Sequence, residues 1–162
     1  MKEKKPSLLR EWKLLLLEAY PEDSRNFFQK EKDHFANPVG SILFSELDRL
    51  LDMVIDRKEG EELEDCLDKI IRIRAVQDLR PSEAIGFIFG LKGLVRKALE
   101  GFPGKRGSYA NEMEEAIDRV GLRALDIYWR MKRQLQDLRV LELKRQYERL
   151  LVRAKVMAEI PD

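Results

Sequence analysis

Arg74, Gln77 and Asp78 fall within five residues of the stretch IRIRAVQDLRPSEAIGFIFGLKGL, residues 71–94, which places a guanidinium, a carboxamide and a carboxylate close together. On a wheel at 100° per residue, Leu63, Cys66, Leu67, Ile70 and Ile73 define an apolar arc, and Arg74 and Gln77 lie inside it. An unpaired guanidinium is prohibitively costly to bury. Asp78, one turn on, would complete a semi-buried ion pair that holds the helix end. Alternatively, Arg74 with Gln77 would point into a pocket and take a carboxylate or phosphate bidentately. Just beyond, Gly86, Gly90 and Gly93 step by four and three along one face, each costing about 0.5–1 kcal/mol relative to alanine inside a helix. The space they open suits a neighbouring helix, a small ligand or a second copy of the chain. Arg74, Gln77, Asp78, Gly86, Gly90 and Gly93 are therefore the candidate ligand-binding residues.

Other chemistries find little support. The sequence holds one histidine, His34, and one cysteine, Cys66. That excludes a multi-histidine metal site, a thiolate cluster and a disulfide framework. No metal or cofactor is expected. His34 reads as a surface or capping residue and Cys66 as an inert core thiol. Trp12 and Trp129 read as core. No nucleophile–base pair or glycine-rich phosphate loop emerges, so no catalytic residue is assigned.

The elements that must position these residues are all helices, because no segment sustains period-two alternation. Leu8, Leu9, Trp12, Leu15, Leu16 and Ala19 form one stripe of a first helix over about 7–19. Pro21 opens a shorter piece carrying Phe27 and Phe28. In FANPVG, Asn37 is placed to cap and Pro38 to begin a helix reaching about Arg57 on Ile42, Leu43, Leu47, Leu50, Leu51 and Val54. Gly60 separates it from a helix over about 61–79. Pro81 begins the glycine-bearing helix, which is apolar almost all round and so expected to be central; Gly101 and Pro103 end it. NEME at 111–114 has capping-box spacing, and one long helix or two nearly collinear ones follow to about Ala158.

Along that last stretch, Tyr128, Met131, Leu135 and Leu138 make one stripe and Leu143, Tyr147, Leu150, Ala154 and Met157 another. A five-residue jump breaks the register between them. The expected division is a bundle over 1–135 and a coiled-coil-like extension over 136–162, which either folds back or projects toward a partner. Residues 46–68 hold ten acids and three bases, while 130–155 hold nine bases and three acids. Electrostatic complementarity between them, within or between chains, accounts for both. Arg139, Arg145, Arg149 and Arg153 are the candidate partner-binding residues. A net charge of +1 argues against a general nucleic-acid binder. The longest apolar run, AIGFIFGL, is far short of the roughly 20 residues of a membrane span, and no signal-peptide pattern opens the chain. A cytoplasmic protein is the simplest expectation.

Trp12, FANPVG at 35–40 and IIRIRAVQDLRPSEAIGFIFGLKGLVR at 70–96 together resemble the RsbRD-type N-terminal domain of RsbT co-antagonist proteins, over roughly residues 8–130. The resemblance implies a helical sensory domain of the bacterial stressosome, set before an output domain that is commonly a STAS domain. Related co-antagonist domains are haem-free and globin-like, and dimerise with the last helix leading into the output. Arg74, Gln77, Asp78, Pro81 and Ser82 match the family's signature stretch, and no binding role comes with them. A proline is common in the family where His34 stands, and no STAS, kinase or DNA-binding domain is expected beside this one. Any signal is then expected to pass to a separate protein.

Together these readings predict an all-α bundle of five or six helices with a long C-terminal helix. It would act as a non-catalytic, homodimeric module of stress-response regulation. A ligand or partner would bias two helix packings, and the shift would travel along 120–158. The competing reading is a ligand-free adaptor that docks a protein on its basic C-terminal helix.

Overall fold

The computed structural model describes residues 2–30, 36–77, 79–100 and 106–158. Among them are a 3-10 turn (Lys2–Lys4) and six α-helices: α1 (Lys5–Leu17), α2 (Glu22–Lys30), α3 (Pro38–Asp56), α4 (Glu61–Val76), α5 (Pro81–Leu99) and α6 (Arg106–Ala158). The all-α expectation holds, with no strand among the described residues. His34, Asp78, Gly101 and Pro103 lie outside them.

Local signals place the helix starts. The Asn37 side chain accepts from Gly40 N at 2.9 Å at the head of α3, and Pro38 occupies the first turn. Gly60, at φ 103°, stands before α4 in a conformation that suits glycine. Pro81 begins α5, while Arg80 N donates to Glu83 Oε2 at 2.9 Å in front of it. NEME does not begin α6: Asn111 is already inside the helix.

α6 forms a wall against α4 and α5; α3 covers α4, and α1 packs on α5 and α3. The core between them holds Leu16, Leu47, Leu50, Leu67, Ile70, Ile88, Leu91, Ile117 and Ala124. Trp12 is fully buried, and its Nε1 donates to Phe87 O at 2.7 Å, tying α1 to α5. Three expectations need correction. α4 buries Ile71 and Ala75 while Ile73 is only half-buried, because α3 and α6 cover it from two sides and widen the arc. α5 is a wall helix: Ala84, Ile85, Ile88, Leu91 and Val95 face inward, whereas Gly86, Phe89 and Gly93 are exposed. Trp129 is 70% exposed, on the outer side of α6.

α6 has 53 residues, so it is about 80 Å long. It runs unbroken through positions 135 and 136. Tyr128 is buried and Met131 and Leu135 half-buried, but every residue from 136 to 154 is exposed, so the end of α6 projects from the bundle. The acidic segment is met by other cations: Lys5 on Asp48 and Asp52, Lys69 on Asp65, Arg119 on Glu59, and Arg123 on Glu64. Within the described chain the projecting residues are too exposed to complement it.

Candidate functional site

The link from α4 to α5 gathers most of the chain's unusual polar geometry. Arg74, in the last turn of α4, has no exposed surface. Its Nε donates to Ala84 O at 2.7 Å and Nη2 to Glu83 O at 2.8 Å. Nη1 reaches Leu16 O at 3.3 Å and Tyr20 Oη at 3.4 Å. The guanidinium also lies over the Tyr20 and Phe87 rings, 5.3 and 5.1 Å from their centroids. Burial lowers its pKa from the ordinary arginine value, opposed by the Tyr20 hydroxyl. The side chain therefore knits the end of α1, the end of α4 and the start of α5. Its fork is turned on protein carbonyls.

Gln77 follows where α4 ends, with extended backbone at φ −80° and ψ 154°. Its side-chain Oε1 is buried without a hydrogen-bond partner, and the residue lines an open recess of about 580 Å³ with Phe27, Phe28, Asn37, Pro38 and Val39. Lys132 Nζ reaches the Gln77 backbone carbonyl at 3.4 Å, and Tyr128 Oη donates to Leu79 O at 2.8 Å. α6 is thus gripped by the link at the turn from which it leaves the bundle.

The glycines do not share that recess. A Cβ at Gly86 or Gly93 would meet nothing within 4 Å, while one at Gly90 would touch Leu15 Cδ1 at 3.0 Å. Only Gly90 marks a close approach between α1 and α5. The sequence reading missed Gly121, where a Cβ would overlap the Phe89 ring, so the Phe89 side chain of α5 packs directly on the α6 backbone there. Beside it, Leu122 is 60% and Leu125 44% exposed. Leu122, Leu125 and Trp129 recur 18 residues later as Val140, Leu143 and Tyr147, all exposed. Eighteen residues are five turns of about 3.6, so the two sets share one outward face of α6, as one patch on the bundle wall and one on the projecting rod, with Arg133 and Gln136 on that face between them. Inward burial ends at Leu135, before the five-residue jump, since Leu138 is already 62% exposed.

Arg145, Arg149 and Arg153 are exposed at four-residue steps, and Arg139 precedes them on the rod. Arg149 is two residues from Tyr147, about 200° round the helix, so the basic face lies away from the apolar patches. Cys66 is fully buried; its Sγ donates to Glu46 O at 3.2 Å, and burial pushes its pKa up to about 12. Among the described residues no group of metal-ligating side chains is assembled. Nor is any described helix long and apolar enough to cross a membrane.

No curated protein and no solved structure matches the chain. The profile of one family does, over residues 6–142, covering the bundle, the Arg74–Gln77 link and the first turns of the rod. The chain belongs to the RsbT co-antagonist protein rsbRD N-terminal domain family, a family of regulatory domains in stress signalling.

Proposed function

We propose that this domain is a non-catalytic, cytoplasmic relay that works as a homodimer joined along α6 and passes a repacking of the bundle to an output protein. One observation carries the reading: two outward apolar patches, Leu122, Leu125 and Trp129 on the bundle and Val140, Leu143 and Tyr147 on the rod, lie at one angle of the same helix, with Arg133 and Gln136 between them. A helix with these patches in solvent leaves large side chains uncovered, and a second α6 laid along that face would bury them. The face passes the turn held by Tyr128 and Lys132, so a change at the link alters the angle at which the rod leaves.

The basic face serves the second contact. Arg139, Arg145, Arg149 and Arg153 stay exposed when the patches are covered, and suit an acidic output protein. An adaptor acting without any stimulus would use the same face.

Light scattering on the eluted protein tests the dimer. The wild type is expected at twice the monomer mass, and Leu143→Glu with Tyr147→Glu at the monomer mass with an intact bundle. A wild-type monomer at all concentrations refutes the reading.

A further inference from the structure

The recess lined by Gln77 is the place where an outside molecule has something to bind. Its volume of about 580 Å³ falls within the range of small-molecule sites. The walls are apolar: Phe27 and Phe28 of α2, and Pro38 and Val39 at the head of α3. Phe28 is braced edge-on by Tyr20, ring centroids 5.2 Å apart, and Tyr20 in turn by Arg74. Asn37, beside it, is pinned by its bond from Gly40 N.

The polar groups choose the ligand. Gln77 Oε1 is a buried acceptor without a donor, a state that costs free energy until a donor arrives. Asp23, also on the lining, is a second acceptor and, among the described residues, the one charged side chain there. Arg74, the obvious anion receptor of this region, is sealed behind Tyr20 with its donors on Ala84, Glu83 and Leu16 carbonyls. Ser24 and the amides of Asn37 and Gln77 can also donate, so it is the Asp23 carboxylate that disfavours a carboxylate or phosphate, while an N–H group would satisfy Gln77 Oε1. A second recess of about 320 Å³ near Glu11 and Lys97 offers no comparable vacancy, since those two side chains pair across it at 3.2 Å.

We propose that the recess between α2, the head of α3 and Gln77 binds a small neutral or cationic molecule with an aromatic or apolar body and an N–H donor for Gln77 Oε1. The rings of Phe27 and Phe28 take the body, and Asp23 favours a cation at the rim. The proposal deepens the relay reading and rests on it, because the backbone of Gln77 holds Lys132 of α6 while its side chain faces the ligand.

Three molecules with one aromatic body separate the chemistries: phenylacetamide, phenethylamine and phenylacetate, each titrated calorimetrically into the full chain. The amide and the amine are expected to bind at least about tenfold tighter than the acid. Gln77→Met is expected to weaken both by about five- to tenfold, the loss of one hydrogen bond. Val39→Trp, a change at an exposed wall position, is expected to abolish binding while the melting curve stays in place. Equal binding of phenylacetate, no heat from any of the three at about 10 mM, or undiminished binding by either variant overturns the proposal. Light scattering on the same samples keeps the two ideas apart: a dimer that binds none of the three loses the ligand and retains the relay.

Discussion

Replacing Arg74 separates a structural clamp from a dispensable charge. The guanidinium serves four acceptors: Ala84 O, Glu83 O, Leu16 O and Tyr20 Oη. Glu83 and Ala84 lie in the first turn of α5, so their carbonyls keep helical partners when the arginine is removed. Leu16 lies in the last turn of α1, where carbonyls have no intrahelical donor of their own. Arg74→Met fills similar volume and leaves that oxygen orphaned, which costs about 1–3 kcal/mol. The charge-assisted bonds lost are largely offset by release from the guanidinium's desolvation, and the two together add on the order of 1 kcal/mol. The balance is a destabilisation of about 2–3 kcal/mol.

Arg74→Lys is the sharper test. It keeps the desolvated charge, but one ammonium cannot span acceptors on two helices, and the cost rises to about 3–5 kcal/mol at pH 7. Burial lowers a lysine pKa, so the unfolded chain binds the proton more readily and stability rises with pH. Urea unfolding followed by circular dichroism at pH 7 and pH 9.5 should show Arg74→Lys recovering part of its loss and Arg74→Met unmoved. A lysine variant as stable as wild type, or a methionine variant within about 0.5 kcal/mol of it, refutes the clamp.

Gly86→Ala and Gly93→Ala should each raise bundle stability by about 0.5–1 kcal/mol, since both lie inside a helix with open space where the methyl would go; lower melting temperatures would show that this face is covered in the assembled protein. Cys66 should resist iodoacetamide in the folded chain at pH 8 and react only in denaturant, because its pKa is raised to about 12 by burial. Modification of the native protein at the denatured rate would contradict that burial.

What could be read from the sequence follows the range of the interactions. Asn37-Pro38, Gly60 and Pro81 announce helix starts through contacts within four residues, and each stands where it was expected. Asn111 misled because capping-box spacing also occurs inside helices, and nothing local shows that α6 has already begun. Arg74 was legible as an inward cation, but its acceptors come from α1 and α5, up to 58 residues away. The glycines share one face, open in the sequence to a neighbouring helix, a ligand or a second copy; its members divide among Leu15 and open solvent because α5 sits at the wall. Trp129 looked like core by residue type, yet it shares its angle with Tyr147, and 18 residues is a spacing that a wheel of the rod alone does not compare.

The placement of the weak and strong bonds bears on how such a domain would switch. Trp12 fastens α1 to α5 and Arg74 fastens α4 to α5 by buried, short hydrogen bonds, which are costly to break. The hydrogen bonds from the link to α6 are lighter: one from Tyr128 and a longer one from Lys132, about 1 kcal/mol each on net. A ligand at about 100 times its dissociation constant, with no affinity for the alternative packing, shifts an equilibrium by about 2.7 kcal/mol. That is comparable to both α6 contacts together and small beside the Arg74 cluster. A molecule bound at Gln77 would thus have the leverage to loosen the link from α6 and too little to open the core, which would confine the response to the turn where α6 leaves the bundle.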